Sequence, residues 1–106
     1  EKLVLAAKKC YYNYPEPKIL VIAPPPVSPN IHNDLFGFSF GPLAYEKSCQ
    51  FGALYKDLAI RNGCGFIDCA DLNFTLNTLD GLHYSREDHA KLADVVAAKI
   101  REMLEH

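Results

Sequence analysis

The segment Lys18-Ile19-Leu20-Val21-Ile22-Ala23 is a continuous apolar run rich in β-branched residues, and Pro24-Pro25-Pro26 follows it at once. A strand with one face in water alternates polar and apolar residues. This run does not alternate, so it suits a parallel strand covered on both faces. Proline offers no N–H to a neighbouring strand, so the ladder is expected to stop at Ala23. Gly65-Phe66-Ile67-Asp68 is a second, shorter strand candidate.

Parallel strands need crossover connections, and the chain carries helix patterns in the right places. Residues 1–11 combine good helix formers with apolar Leu3, Ala6, Ala7 and Cys10 at i, i+3, i+4 and i+7. From Leu43 to Asn62 a second pattern puts Phe51, Leu54, Tyr55 and Leu58 on one face, with Asn62-Gly63 as a stop signal. Ser85 with Asp88 three residues later is a capping signal for a last helix, with Glu87 and Asp88 in its first turn and Leu92, Val96, Ile100 and Met103 as its expected buried face. The resulting order, helix, strand, helix, strand, helix, is an α/β pattern. Two strands do not make a stable parallel sheet alone, so completion is expected from an upstream segment of the same natural protein or from another chain.

Charge and composition narrow the partners. Eleven Lys and Arg against 13 Asp and Glu give a net charge of −2 with no basic block, which argues against nucleic acid. No apolar run approaches the roughly 20 residues that span a bilayer, so no membrane partner is expected. Cys10, Cys49, Cys64 and Cys69 lack C-x-x-C spacing and lie in or beside apolar segments, which reads as buried free thiols and points to a reducing, cytoplasmic compartment. Leu104-Glu105-His106 is similar to the start of a polyhistidine tag, which sets the domain at residues 1–103.

Two long loops, Pro24 to Gly41 and Cys69 to Leu79, leave the carboxyl ends of the two strands, where ligands bind in open α/β sheets. The second loop delivers Asp80-Gly81-Leu82-His83 to that edge. A histidine base needs one ring nitrogen facing its reaction partner and the other held by a carboxylate. With Gly81 allowing a tight turn, Asp80 can fold back so that its carboxylate meets Nδ1 of His83. Taken by spacing alone, Asp80 is equally a turn cap and His83 a solvated surface residue.

The wider run DGLHYSREDHAKLADVVAAKI resembles the last block of SGNH (GDSL-type) esterases and lipases. ILVIAPPPV is similar to the strand and proline loop before that block in arylesterase-like members, and GCGFIDCAD to the penultimate strand. The resemblance spans about residues 18–102. It implies a flavodoxin-like, three-layer parallel sheet, present here as its C-terminal half, and a catalytic triad to which Asp80 and His83 belong. It implies a serine esterase acting on small carboxylic or acetyl esters through an acyl-enzyme, with no cofactor and no metal. The G-D-S nucleophile segment and the G-x-N-D oxyanion segment of the family have no match. Ser28, Ser39, Ser48 and Ser85 lack that setting, and Asn33-Asp34 follows Ile31-His32 within the proline loop. In family terms the nucleophile half is missing, so the 106 residues are expected to be inactive alone.

Val27 and Leu82 are candidate substrate contacts, and Val27, Leu35, Phe36, Phe38 and Phe40 make the first loop apolar enough to wall a pocket or to pack against a partner. His89 reads as an exposed first-turn residue, His32 as a solvated loop residue, and Asp68 and Asp71 as turn caps. A metal site from Asp80, His83 and His89 offers too few convergent ligands. The rival reading is a non-catalytic α/β fragment that dimerises or swaps to complete its sheet, a homo-oligomer without activity.

Overall fold

The computed structural model describes residues 1–10, 14–33 and 37–105. Strand β1 (Leu20–Ala23) and strand β2 (Gly65–Asp68) pair in parallel, with Leu20 opposite Gly65 and Ala23 opposite Asp68. Gly65 N–H donates to the Ile19 carbonyl at 2.8 Å, extending the ladder by one bond before β1. The β2 bounds match the sequence expectation, while β1 is shorter than the Lys18 to Ala23 run.

Helix α1 (Lys2–Lys8) precedes β1. The proline loop holds two single-turn 3₁₀ helices, Ile31–Asn33 and Gly37–Ser39, and Ile31 is fully buried. Of the apolar loop residues, Phe38 is exposed, while Leu35 and Phe36 lie outside the described residues. Instead of one helix from Leu43 to Asn62 there are two, α2 (Ala44–Ser48) and α3 (Phe51–Arg61). Asn62 and Gly63 end α3 as expected, with Gly63 at a φ of 64° that glycine tolerates freely. The last helix, α4 (Arg86–Leu104), runs 19 residues and opens on a capping box between Ser85 and Asp88.

Helix α3 and helix α4 meet opposite faces of β2. Gly52 of α3 lies against the Asp68 side chain, and Met103 of α4 lies against Gly65; residues 65 and 68 of a strand point to opposite sides. Of the expected α3 stripe, Phe51 and Leu58 are half-buried, while Leu54, 60% exposed, and Tyr55 face out. Ala59 is the buried residue of the helix, and Gly52 allows the close approach to Asp68 of β2. On the α4 side, Leu92, Val96 and Met103 are only half-buried and Ile100 is exposed. Ile22 shares that face in β1 and is 38% exposed, so the expectation of a strand covered on both sides does not hold for β1.

Helix α1 has no buried residue, and Leu3, Ala6, Ala7 and Cys10, the apolar face expected there, are all exposed. Its ties are polar: Glu1 pairs with Arg61 at 3.1 Å and accepts from Asn62, and Lys8 Nζ donates to the Asn62 carbonyl. Lys8 sits where the end of α3 concentrates unpaired carbonyls, a favourable place for a cation. Of the four cysteines only Cys69 is buried, contrary to the expectation for Cys10 and Cys49, which are exposed. No helix among the described residues is long and apolar enough to cross a membrane. The radius of gyration, 15.9 Å, exceeds the about 13 Å of a compact domain this long, in keeping with a core of few buried residues.

A Cβ added at Gly52 would come within 2.3 Å of Asp68 Oδ2. The Asp68 carboxylate would have to turn aside and give up the bond it accepts from Ala70 N–H. Gly52→Ala is therefore expected to speed amide exchange at Ala70; unchanged exchange there would contradict the close seating of α3 on β2.

Candidate active site

Parallel pairing sends both loops out of the same sheet edge, and they touch there. Ser28 N–H in the proline loop donates to the Gly81 carbonyl at 2.8 Å. Gly81, at a φ of 64°, lets the chain reverse between Asp80 and Leu82. Asn77 closes the turn from the other side. Its N–H donates to the His83 carbonyl at 2.7 Å, its carbonyl accepts from Gly81 N–H at 2.8 Å, and its side-chain oxygen accepts from Leu79 N–H at 2.8 Å.

Inside this turn the Asp80 carboxylate makes three polar contacts. Oδ1 accepts from the N–H groups of Leu82 at 2.9 Å and His83 at 3.0 Å, and Oδ2 lies 2.5 Å from His83 Nδ1. The His83 and Leu82 backbone N–H groups, more than the imidazole, hold the Asp80 pKa down to about 2 from 3.8, because each favours the charged carboxylate. The carboxylate is therefore ionised at neutral pH and fixes the proton of a neutral His83 ring on Nδ1. That leaves Nε2 as the basic nitrogen, on a side chain that is 73% exposed while that of Asp80 is 12% exposed. An arrangement of this kind can accept a proton at Nε2 and stabilise the imidazolium that results.

The segment before the turn is held by Asp88. This residue is fully buried at the start of α4, and its carboxylate accepts from the N–H groups of Thr75, Leu76 and Ser85 at 2.8, 2.8 and 3.0 Å and from the Thr75 hydroxyl at 3.3 Å. Burial alone would raise its pKa; the backbone N–H groups of Ser85, Thr75 and Leu76 outweigh it and bring the value to about 2. Leu76 is held at a φ of 56°, a left-handed conformation that a side chain such as leucine adopts at a cost of roughly 1–3 kcal/mol.

The other candidates are distributed. Val27 borders a cavity of about 470 Å³ shared by the proline loop and the 74–78 segment, with Ser28, Tyr45, Asn77 and Gly81 also on its wall; Leu82 is not part of that lining and is 37% exposed. His89 packs its ring on Tyr84 at 5.5 Å, and His32 is exposed. Asp68 Oδ1 accepts from Ala70 N–H at 3.0 Å, a turn cap, and Asp71 is exposed. Among the described residues no three His, Cys, Asp or Glu side chains converge as a metal would require, so His89 does not join Asp80 and His83 in a ligand set. Three of the four serines have structural partners. Ser48 Oγ donates to the Tyr45 carbonyl and accepts from Val27 N–H, Ser28 Oγ accepts from Asn30 N–H, and Ser85 caps α4.

Several solved structures that resemble this chain are esterases. Est24, a carbohydrate acetylesterase from Sinorhizobium meliloti, is 33% identical over 96% of this chain and 48% of its own, with a TM-score of 0.83. A carbohydrate acetylesterase family member from the same organism is 25% identical over 99% of this chain and 49% of its own, with a TM-score of 0.78. The relatives whose names state an activity are esterases. An aryl esterase of M. smegmatis shares the fold at 24% identity and a TM-score of 0.76, over 94% of this chain and 47% of its own. The chain spans about half the length of the esterase structures it matches. No protein-family model and no curated protein sequence matches it.

The hold that Asp88 and Asn77 have on the Asp80–His83 turn was not foreseen from the sequence. The capping-box signal located Asp88, but a box calls for only one bond back to the helix start, and nothing in local spacing announces a buried carboxylate serving a loop a dozen residues earlier.

A depressed carboxylate pKa adds stability that is present above the unfolded value and lost as pH falls through the folded one. For Asp80 and Asp88 that window runs from 3.8 down to about 2. Thermal midpoints measured across this range are expected to fall, with Asp80→Asn and Asp88→Asn each removing part of the fall and lowering the midpoint at neutral pH. Variants with the wild-type acid profile would contradict both assignments.

Proposed function

We propose that these 106 residues supply the general base and its orienting carboxylate, His83 and Asp80, to a serine ester hydrolase of flavodoxin-like, three-layer architecture. The observation that carries this reading is the 2.5 Å contact between Asp80 Oδ2 and His83 Nδ1 in a turn at the carboxyl edge of the sheet. The esterase identity of the structural relatives supports the reaction class, and the two acetylesterases among them favour acetyl esters, including those on carbohydrates.

In this reading a serine hydroxyl loses its proton to His83 Nε2 as it attacks the ester carbonyl. The imidazolium, stabilised by Asp80, then protonates the departing alcohol and leaves an acyl-enzyme, which water deacylates by the reverse proton route. The serine and the oxyanion donors come from outside these residues, in a segment or a second chain that completes the sheet at β1. The partnered serines of this chain support that division, since Ser48 and Ser85 hold structure and Ser28 serves a turn.

The test is a hybrid in which this chain replaces the matched 48% of the Sinorhizobium Est24 sequence. The hybrid is expected to hydrolyse p-nitrophenyl acetate, the 106 residues alone to show no turnover, and His83→Ala in the hybrid to lower kcat by roughly 10²–10⁴-fold. A folded hybrid whose activity ignores His83→Ala would refute the assignment, as would His83-dependent turnover by the chain alone.

A further inference from the structure

We propose that Asp88 is a positioning residue for the Asp80–His83 pair: its buried carboxylate fixes the 75–76 backbone, and through Asn77 that backbone sets where His83 stands. The proposal rests on the reading of Asp80 and His83 as the working pair, but it concerns their geometry and is tested without turnover.

A capping box accounts for one of the bonds Asp88 accepts, the 3.0 Å bond from Ser85 N–H. The bonds from Thr75 N–H, the Thr75 hydroxyl and Leu76 N–H lie outside any cap. They reach back 12 and 13 residues to a segment with no regular structure of its own, at a side chain with no solvent exposure. Burying a carboxylate is unfavourable unless its oxygens are fully used, and here each oxygen accepts two bonds.

What the carboxylate holds is a backbone that would not stay in place unaided. Leu76, bonded directly to Asp88 Oδ2, is in the left-handed region at φ 56°, and Asn73 is there at φ 54°. The next residue, Asn77, makes both backbone bonds that close the Asp80 turn, to Gly81 and to the His83 carbonyl. Releasing Leu76 lets its φ relax and swings the Asn77 peptide away from His83. Asp80 Oδ2 and His83 Nδ1 are 2.5 Å apart only while the backbones of residues 80 and 83 keep their spacing. His83 itself is mostly exposed, so packing does little to hold its ring, and the backbone must do so.

The readout is the tautomer of the neutral His83 ring, from its ring ¹⁵N shifts. Free histidine favours the Nε2–H form, whereas a ring held by Asp80 carries its proton on Nδ1. Asp88→Asn keeps the size of the side chain but turns an N–H₂ toward backbone donors. In the full 106-residue chain, this variant is expected to shift His83 toward the Nε2–H form, while Ser85→Ala, which removes the cap hydroxyl and spares the carboxylate, loses stability but keeps the Nδ1–H form. A folded Asp88→Asn protein with the wild-type tautomer would overturn the proposal, and so would a Ser85→Ala shift as large as that of Asp88→Asn. Amide exchange in the wild-type chain decides the matter should Asp88→Asn not fold. The Leu76, Asn77 and Gly81 amides are expected to exchange at one common rate; rapid exchange at Asn77 and Gly81 beside a protected Leu76 would overturn it. Since none of these readouts involves turnover, an inactive hybrid esterase and a failed positioning role remain separate results.

Discussion

The carboxylate of Asp80 is the point on which the rest of the site depends. It accepts from two successive backbone N–H groups and from the imidazole three residues on, so a single short turn fixes an anion, a ring and the protonation of that ring together. The two N–H groups are the stronger influence on its charge. The carboxylate is thus anchored by its own backbone, and the histidine is what it orients.

Everything else in the chain serves to bring that turn to one place and keep it there. Parallel pairing of β1 with β2 sends both loops out of the same edge, where Ser28 of one meets Gly81 of the other. The start of α4 then does two jobs with one side chain, because Asp88 both closes the helix cap and grips the loop that Asn77 ties to His83. Against this local order the apolar packing is thin. Ile22 and Ile100 are partly open, α1 buries nothing, and few side chains are fully enclosed. Polar contacts around the turn are better satisfied than the apolar surfaces of the sheet and helices.

Much of this was legible in the sequence, for identifiable reasons. The β2 segment, the α3 stop at Asn62-Gly63 and the Ser85–Asp88 cap are local signals, fixed by residue type within a few positions, and the structure carries all three. The Asp80–His83 contact was legible because it spans only three residues across a glycine. Faces were harder. Of the expected stripes, Phe51 and Leu58 on α3 and Leu92, Val96 and Met103 on α4 are half-buried, whereas Leu54, Tyr55 and Ile100 are exposed and small Ala59 is the buried residue of α3. Helix periodicity gives the existence of a face but not its neighbour. Least legible were the long-range polar holds, Asp88 on Leu76 and Asn77 on His83, since they depend on a loop conformation that no local pattern encodes.

Whether the backbone anchors the Asp80 carboxylate is decided by its ¹³C titration in the wild-type chain and in His83→Ala, which keeps the backbone N–H at position 83. The expected midpoint is about 2 in the wild type and still well below 3.8 in the variant, because the backbone donors survive the loss of the ring. A midpoint near 3.8 in the wild type would mean that the carboxylate lacks the anchoring that lets it orient His83.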